Sequence, residues 1–216
     1  ERFISLLTLV SVLGVMIAVV TLNVVIAVMT GFEEALRDRL LGLNAHVLLV
    51  KPGDYLDDYD QLARDLEGRD DVIAAAPSLN GQIILTSGSR VAGAVVRGID
   101  LDRSRMDLEK YLRKGSLREL KYRTTARVGG RKILLPGIIV GDRLADRLGL
   151  DKGDVLQAVS PVGSPTAVGI IPRIRRFVVM AIFDSGMREY DSGLVFMKLT
   201  DAQGFFGLRD VVTNIE

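Results

Sequence analysis

The chain has 216 residues with 28 Lys and Arg against 27 Asp and Glu, a formal net charge of only +1. That balance removes any global electrostatic case for nucleic-acid binding. The absence of cysteine excludes disulfides, thiolate metal sites and a cysteine nucleophile, in any compartment.

The first element dominates the chain. Phe3 to Phe32 is a run of thirty residues without a charge, closed by Glu33. As a helix it would cover about 45 Å, more than the roughly 30 Å of a bilayer core. It is about twice the length of a secretory h-region and has no A-x-A cleavage site at its end. It is also too long for a buried helix in a domain of this size, so it reads as a membrane span. Ser11, Gly14 and Ala18 put small side chains on nearby turns, where another helix could approach or where they are ordinary scatter. Asn23 is a polar side chain that needs a partner in lipid, from a neighbouring helix or a water-filled cavity. With only Glu1 and Arg2 ahead of the run, charge does not set its orientation. The start at glutamate is expected to mean that upstream residues have been removed.

Past the span, Phe32, Leu36, Leu40 and Leu43 recur at helical spacing while Glu33, Arg37 and Asp38 lie elsewhere around the axis. This predicts an amphipathic extension stopping near Gly42 and Asn44, and the rest, 44–216, as one water-exposed domain. A short strand is expected at His46–Val50, ended by Lys51-Pro-Gly-Asp54. Next come a helix at Asp57–Glu67, a strand at Asp71–Ala76 ended by Pro77, and a hairpin of Gln82–Thr86 with Arg90–Gly98 around Ser87-Gly-Ser89. A helix-rich stretch should carry Met106, Leu108, Tyr111 and Leu112. Arg123–Lys132 shows no core pattern and reads as a mobile loop. Ile138–Val140 is a strand, followed by a helix with Leu144, Ala145 and Leu148 that Gly149 caps in the left-handed conformation. Strands are expected at Val155–Ser160, Phe177–Phe183 and Leu194–Lys198, then a short helix at Asp201–Phe206 and a last strand at Val211–Glu216. This mixture of strand–helix–strand units and hairpins defines an α+β domain, not a doubly wound sheet.

Catalytic chemistry is hard to assemble from these residues. The lone histidine, His46, reads as structural, and no Walker A sequence or metal-ligand motif occurs. Asp184, Glu189 and Asp191 cluster, but the interleaved glycines and serines favour a turn. The unusual segment is Ser160–Arg176, with three prolines, no acid, apolar Val168, Ile170 and Ile171 in its middle, and arginines at 173, 175 and 176. It is either a projecting docking hairpin with an apolar tip or a loop whose tip folds back on its own domain.

Five stretches carry a family resemblance. Arg2-Phe-Ile-Ser-Leu6 leads into the span, and Val28-Met-Thr-Gly-Phe-Glu-Glu-Ala-Leu-Arg-Asp-Arg39 leaves it. Ile139-Val-Gly-Asp-Arg-Leu-Ala-Asp-Arg-Leu-Gly-Leu-Asp-Lys-Gly-Asp154 follows. Gly169-Ile-Ile-Pro-Arg-Ile-Arg-Arg-Phe177 with Ile182-Phe-Asp-Ser-Gly-Met-Arg-Glu-Tyr-Asp-Ser192 is the most specific. In these the chain resembles the LolC/LolE lipoprotein-releasing permeases, MacB-like ABC transporter subunits of the mechanotransmission type.

The resemblance implies an inner-membrane protein with one helix (1–43) and a periplasmic α+β domain (44–216). That domain would have a porter-like part interrupted by an inserted β-rich part at about 90–160. It implies a second LolC/LolE-type permease subunit and a LolD-type ATPase that binds ATP and magnesium, with no cofactor or metal in this chain. Lipoprotein, triacylated and embedded in membrane lipid, would be the substrate, and the carrier LolA the recipient. Residues 161–173 fall where LolC-type subunits carry a carrier-docking hairpin, with Val168, Ile170, Ile171 and Pro172 as its apolar contact and Arg173, Arg175 and Arg176 at its base. The tip here has Ala167-Val168, where a LolC hairpin often carries proline and methionine. Val25, Met29, Phe32 and Leu36 would face the lipoprotein. A complete permease has further membrane helices and a coupling helix. Two rivals remain: an FtsX-like permease that regulates a periplasmic partner without transport, and a MacB-type exporter of small molecules.

Overall fold

The structure, a computed structural model, describes residues 2–43, 45–166 and 169–216. It divides into two compact units, Glu1–Leu41 and Gly42–Glu216.

The first unit is built on α1 (Arg2–Leu43), a helix of 42 residues that runs through the expected amphipathic extension. Within it Thr8–Glu34, 27 residues, is long and apolar enough to cross a bilayer, and none of it is buried inside the chain. Its polar side chains are turned back on their own helix. Thr21 Oγ1 donates to the Ile17 carbonyl at 2.8 Å, Asn23 Nδ2 to Val19 at 3.0 Å and Thr30 Oγ1 to Ile26 at 2.9 Å. One amide hydrogen of Asn23 thus finds its acceptor four residues upstream on its own helix.

The second unit is α+β. In chain order it comprises β1 (Leu49–Val50), α2 (Tyr59–Glu67), β2 (Pro77–Ser87), β3 (Arg90–Ile99), β4 (Leu112–Lys114), β5 (Thr124–Val128), β6 (Arg131–Leu135) and β7 (Gly137–Gly141). Then follow α3 (Asp142–Leu148), β8 (Val155–Thr166), β9 (Gly169–Phe183), α4 (Arg188–Gly193), β10 (Leu194–Lys198), α5 (Leu199–Phe206) and β11 (Asn214–Ile215), with 3₁₀ turns at Leu108–Tyr111 and Leu117–Lys121. The main sheet runs β1-β11-β2-β3-β10-β7-β9-β4, and β8 bridges β2 and β9. The ladders therefore close a circuit of six strands, β2-β3-β10-β7-β9-β8. The path ends in two very short strands, β1 and β4, and β5 and β6 form a separate two-stranded sheet.

Two apolar clusters hold the sheet. One joins Leu79, Leu85, Val96, Val140, Phe177, Val195 and Met197 to the buried faces of α2, α3 and α5. The other joins Ile99, Ile139, Met180, Phe183 and Phe196 to the 3₁₀ turns and to β5–β6. Strand alternation explains the division, since neighbours on β7 and β10 point into different clusters. Edge-to-face rings pin each side, Phe177 on Phe205 at 5.7 Å and Phe183 on Phe196 at 5.3 Å.

Four expectations change. Asp71–Ala76 is not a strand. Pro77 opens β2 instead of ending its predecessor, a tolerated place for a residue that cannot donate to the ladder. Arg123–Lys132 is not a loop: β5 and β6 pair from Thr124↔Leu135 to Val128↔Arg131 across Gly129-Gly130. Ala126, Val128 and Ile133 point into the second cluster, while Arg127 and Lys132 point away. His46 lies exposed in a bend before β1, not on the strand. Asp191 sits in α4, not in a turn, and is nearly buried, accepting from Ser185 N at 2.8 Å and Ser185 Oγ at 2.7 Å. The Gly88 hairpin and the left-handed Gly149 cap of α3 are as expected.

Two polar anchors tie the C-terminal strand region to the sheet. Arg97, buried on β3, donates to Glu216 through Nε at 3.0 Å and Nη2 at 2.5 Å. Ser78 Oγ (2.8 Å) and Asn214 Nδ2 (3.2 Å) also donate to Glu216 Oε1. The second anchor is Tyr59, whose hydroxyl donates to Asp210 Oδ1 at 2.9 Å and accepts from Gln203 Nε2 at 3.4 Å. Burial pushes the Tyr59 hydroxyl above its ordinary value of 10.0, and the carboxylate of Asp210 adds to the rise. A raised folded-state value favours folding fully below about pH 10 and loses that contribution as pH rises through it. Denaturation midpoints should therefore decline as pH rises above about 10, and Tyr59→Phe should flatten that decline. An unchanged decline in the variant would remove Tyr59 as its source.

Candidate functional site

The segment singled out in the sequence folds as the outer part of a long β8–β9 hairpin. Its inner part is sheet: β8 pairs with β2 through Gln157–Val159, and β9 pairs with β7 from Val178 onward. From Ser160↔Arg173 outward the two strands pair only with each other, through Ser164↔Ile171, Pro165↔Ile170 and Thr166↔Gly169. The ladder lapses between these registers, skipping 161–163 on one strand and Pro172 on the other. Proline has no N–H to give a ladder, so Pro161 and Pro172 fall where pairing is not needed. The result is a two-stranded ribbon continuing beyond the edge that the rest of the sheet supports. Pro172 is exposed, and Ile174 is 58% exposed. Val168 lies outside the described residues, as do the side chains of Ile170 and Ile171.

The three arginines do not form one group. Alternation along β9 puts Arg173 and Arg175 on one face and Arg176 on the other. The Arg173 guanidinium covers Gly207, where an added Cβ would lie 2.1 Å from its Cζ, and Arg175 Nη1 would lie 3.4 Å from a Cβ at Gly204. Both cations thus cover the C-terminal turn of α5, where they complement the negative end of the helix dipole. Arg176 instead lines an open cleft of about 460 Å³ together with Arg127. Arg127 escapes a reading of the sequence because 123–132 has the pattern of a loop. The available signal was a Gly-Gly turn flanked by alternating residues.

On α1, Val25, Met29 and Phe32 follow one another at i, i+4 and i+7 and are each more than half exposed. They share an apolar stripe. The side chain of Leu36 lies outside the described residues. Among the described residues no group of three His, Asp or Glu side chains could hold a metal ion. The geometry offers surfaces for binding: an unpartnered apolar helix face, a protruding ribbon and a basic cleft.

These features define an extra-membrane α+β domain carried behind an apolar helix. Residues 8–216 match the model of the MacB-like periplasmic core domain, and the chain belongs to that family. It is 30% identical over 216 residues to the lipoprotein-releasing system transmembrane protein LolC of Neisseria meningitidis serogroup B, covering 99% of this chain and 49% of the relative. LolC of Xylella fastidiosa (strain Temecula1) is 32% identical over 218 residues, with the same shares covered. The chain thus spans about half the length of the curated relatives it matches. Among solved structures, the extracellular domain of the noncanonic ABC-type transporter YknZ from Gram-positive bacteria matches with a TM-score of 0.47 at 14% identity, covering 78% of this chain and 79% of that one. The periplasmic region of MacB from Actinobacillus actinomycetemcomitans matches with a TM-score of 0.46 at 13% identity, covering 81% and 70%.

Proposed function

We propose that the chain is the first membrane helix and periplasmic domain of a lipoprotein-releasing ABC transporter permease in the bacterial inner membrane. The assembly would draw outer-membrane lipoproteins out of that bilayer and pass them to the carrier LolA. Support comes from the LolC relatives that match along the whole chain, and from a ribbon that the sheet does not need for its own closure. In this reading Val168, Ile170, Ile171 and Pro172 form the apolar contact for the carrier. Arg173 and Arg175 brace the ribbon's base against α5. Val25, Met29, Phe32 and Leu36 offer acyl chains an apolar wall, each buried methylene contributing about 0.8 kcal/mol. ATP hydrolysis falls to a separate LolD-type subunit, and a second permease subunit completes the membrane part.

The observation that carries this reading is the self-paired, acid-free ribbon. Its test is calorimetric binding of the full chain, held in a neutral detergent, to LolA of the same organism. Saturable binding is expected, with at least about a hundredfold loss when Ile170 and Ile171 are both replaced by Asp, since two charges would then have to be desolvated at the contact. A folded double variant that binds as well as the parent would eliminate the ribbon as docking element. An absence of binding by the parent would move the reading to a LolE-like subunit whose main task is lipoprotein entry, or to the FtsX-like regulatory permease.

A further inference from the structure

Three hairpins converge on the open cleft beside the ribbon. The β2–β3 turn contributes Thr86 and Gly88, the β5–β6 hairpin contributes Arg127 and Gly129, and β8–β9 contributes Gln157 and Arg176. None of the chain's 27 acidic residues lies in any of these hairpins: 77–99, 124–135 and 155–183 contain no Asp or Glu. In a chain of net charge +1 this segregation is large. The two arginines are also uncommitted. Several basic side chains elsewhere are paired, as Arg123 is with Asp201, Lys114 with Asp151 and Lys152 with Glu119. Among the described residues neither Arg127 nor Arg176 has an ion-pair partner. Arg131 and Lys132, exposed just past the Gly129-Gly130 turn, extend the same positive field.

We propose that this cleft is a docking site for an acidic segment of a protein partner, with Arg127 and Arg176 each donating to one of its carboxylates. A guanidinium pair matches carboxylates in charge and in planar donor geometry. The hydroxyl of Thr86 donates to the Gln157 backbone carbonyl at 3.4 Å, which ties together the β2–β8 wall of the cleft, and Gln157 adds a neutral amide to its lining. A concave site suits a side chain projecting from a peptide better than it suits a bilayer. A membrane would be met by a flat cationic face with aromatic or long apolar anchors, and the tip of β5–β6 is Gly129-Gly130. Arg176 stands at the base of the same hairpin, but the cleft makes no use of the ribbon's apolar tip, so Ile170→Asp with Ile171→Asp should leave it intact.

The probe is a fluorescein-labelled hexaglutamate peptide, titrated by anisotropy against the full chain in neutral detergent. Saturable binding is expected, weakened about tenfold by Arg127→Gln and by Arg176→Gln separately. Arg127→Lys and Arg176→Lys should weaken it less, and raising salt to about 0.5 M should weaken it for the parent. Arg69→Gln is the control, because it removes the same charge from an exposed arginine outside the cleft that pairs with Asp71. Unaltered melting of each variant separates binding from folding. No saturable binding, or equal loss in Arg69→Gln, would overturn the proposal. So would arginine-dependent binding of phosphatidylglycerol vesicles without binding of the peptide, which would make the cleft a membrane contact.

Discussion

Arg97→Ala should destabilise the periplasmic domain by about 3–5 kcal/mol, because it leaves a buried carboxylate without its cation. The side chains of Arg97 and Glu216 are only 9% and 8% exposed, and both guanidinium bonds go to the same carboxylate. Ser78 and Asn214 would remain as neutral donors to Glu216 Oε1, too few to replace a guanidinium. Reversing the loss requires removing the other charge as well. Arg97→Met with Glu216→Leu should recover most of the stability, since an apolar pair of similar volume carries no desolvation cost. Chemical denaturation followed by tyrosine fluorescence measures both. A loss below about 1 kcal/mol in the single variant would mean that water reaches the pair and screens it.

Gly115→Ala should be nearly as damaging, by about 3–5 kcal/mol, for two reasons that add. The residue has φ +84, which side-chain-bearing residues rarely adopt. Its Cβ would also fall 2.2 Å from the Met180 carbonyl oxygen and 2.8 Å from Ala181 Cα, both backbone atoms of β9 that cannot swing aside. Gly153 separates the two effects. It has φ +94 with nothing within 4 Å of the added carbon, so Gly153→Ala carries only the conformational cost, about 1–2 kcal/mol. Comparable losses in the two variants would show that β9 moves away to accommodate the methyl group.

What could be read from the residues depended on whether local pattern and tertiary placement agreed. The hairpin at Gly88 and the helix 142–148 are specified locally, by a glycine turn between alternating strands and by an apolar stripe ending in a left-handed cap. The stretch 123–132 was misread because its inward side chains, Ala126 and Val128, are small and its outward ones are cationic. The alternation was present but weak in hydrophobic contrast. Pro77 was misread because a proline at a strand's first residue and one just past its end look alike in sequence. The ribbon was legible as an acid-free, proline-bounded segment. The split of its arginines was not, because it depends on α5 packing beneath one face of β9. The basic cleft was illegible for the same reason: its three walls lie up to about ninety residues apart in the chain.

The position of β10 has a consequence for how the domain is made. Leu194–Lys198 lies in the middle of the sheet, parallel to Val95–Ile99 about a hundred residues upstream and antiparallel to β7. Val195 and Met197 enter one apolar cluster and Phe196 the other, so neither core is complete until this late strand arrives. A growing chain would hold β3 and β7 apart, with apolar faces open, until nearly the whole domain has been synthesised and translocated. Such non-local closure is slow and exposes aggregation-prone surface. Fragments truncated before Leu194 should therefore be degraded or aggregate instead of persisting as partly folded domains.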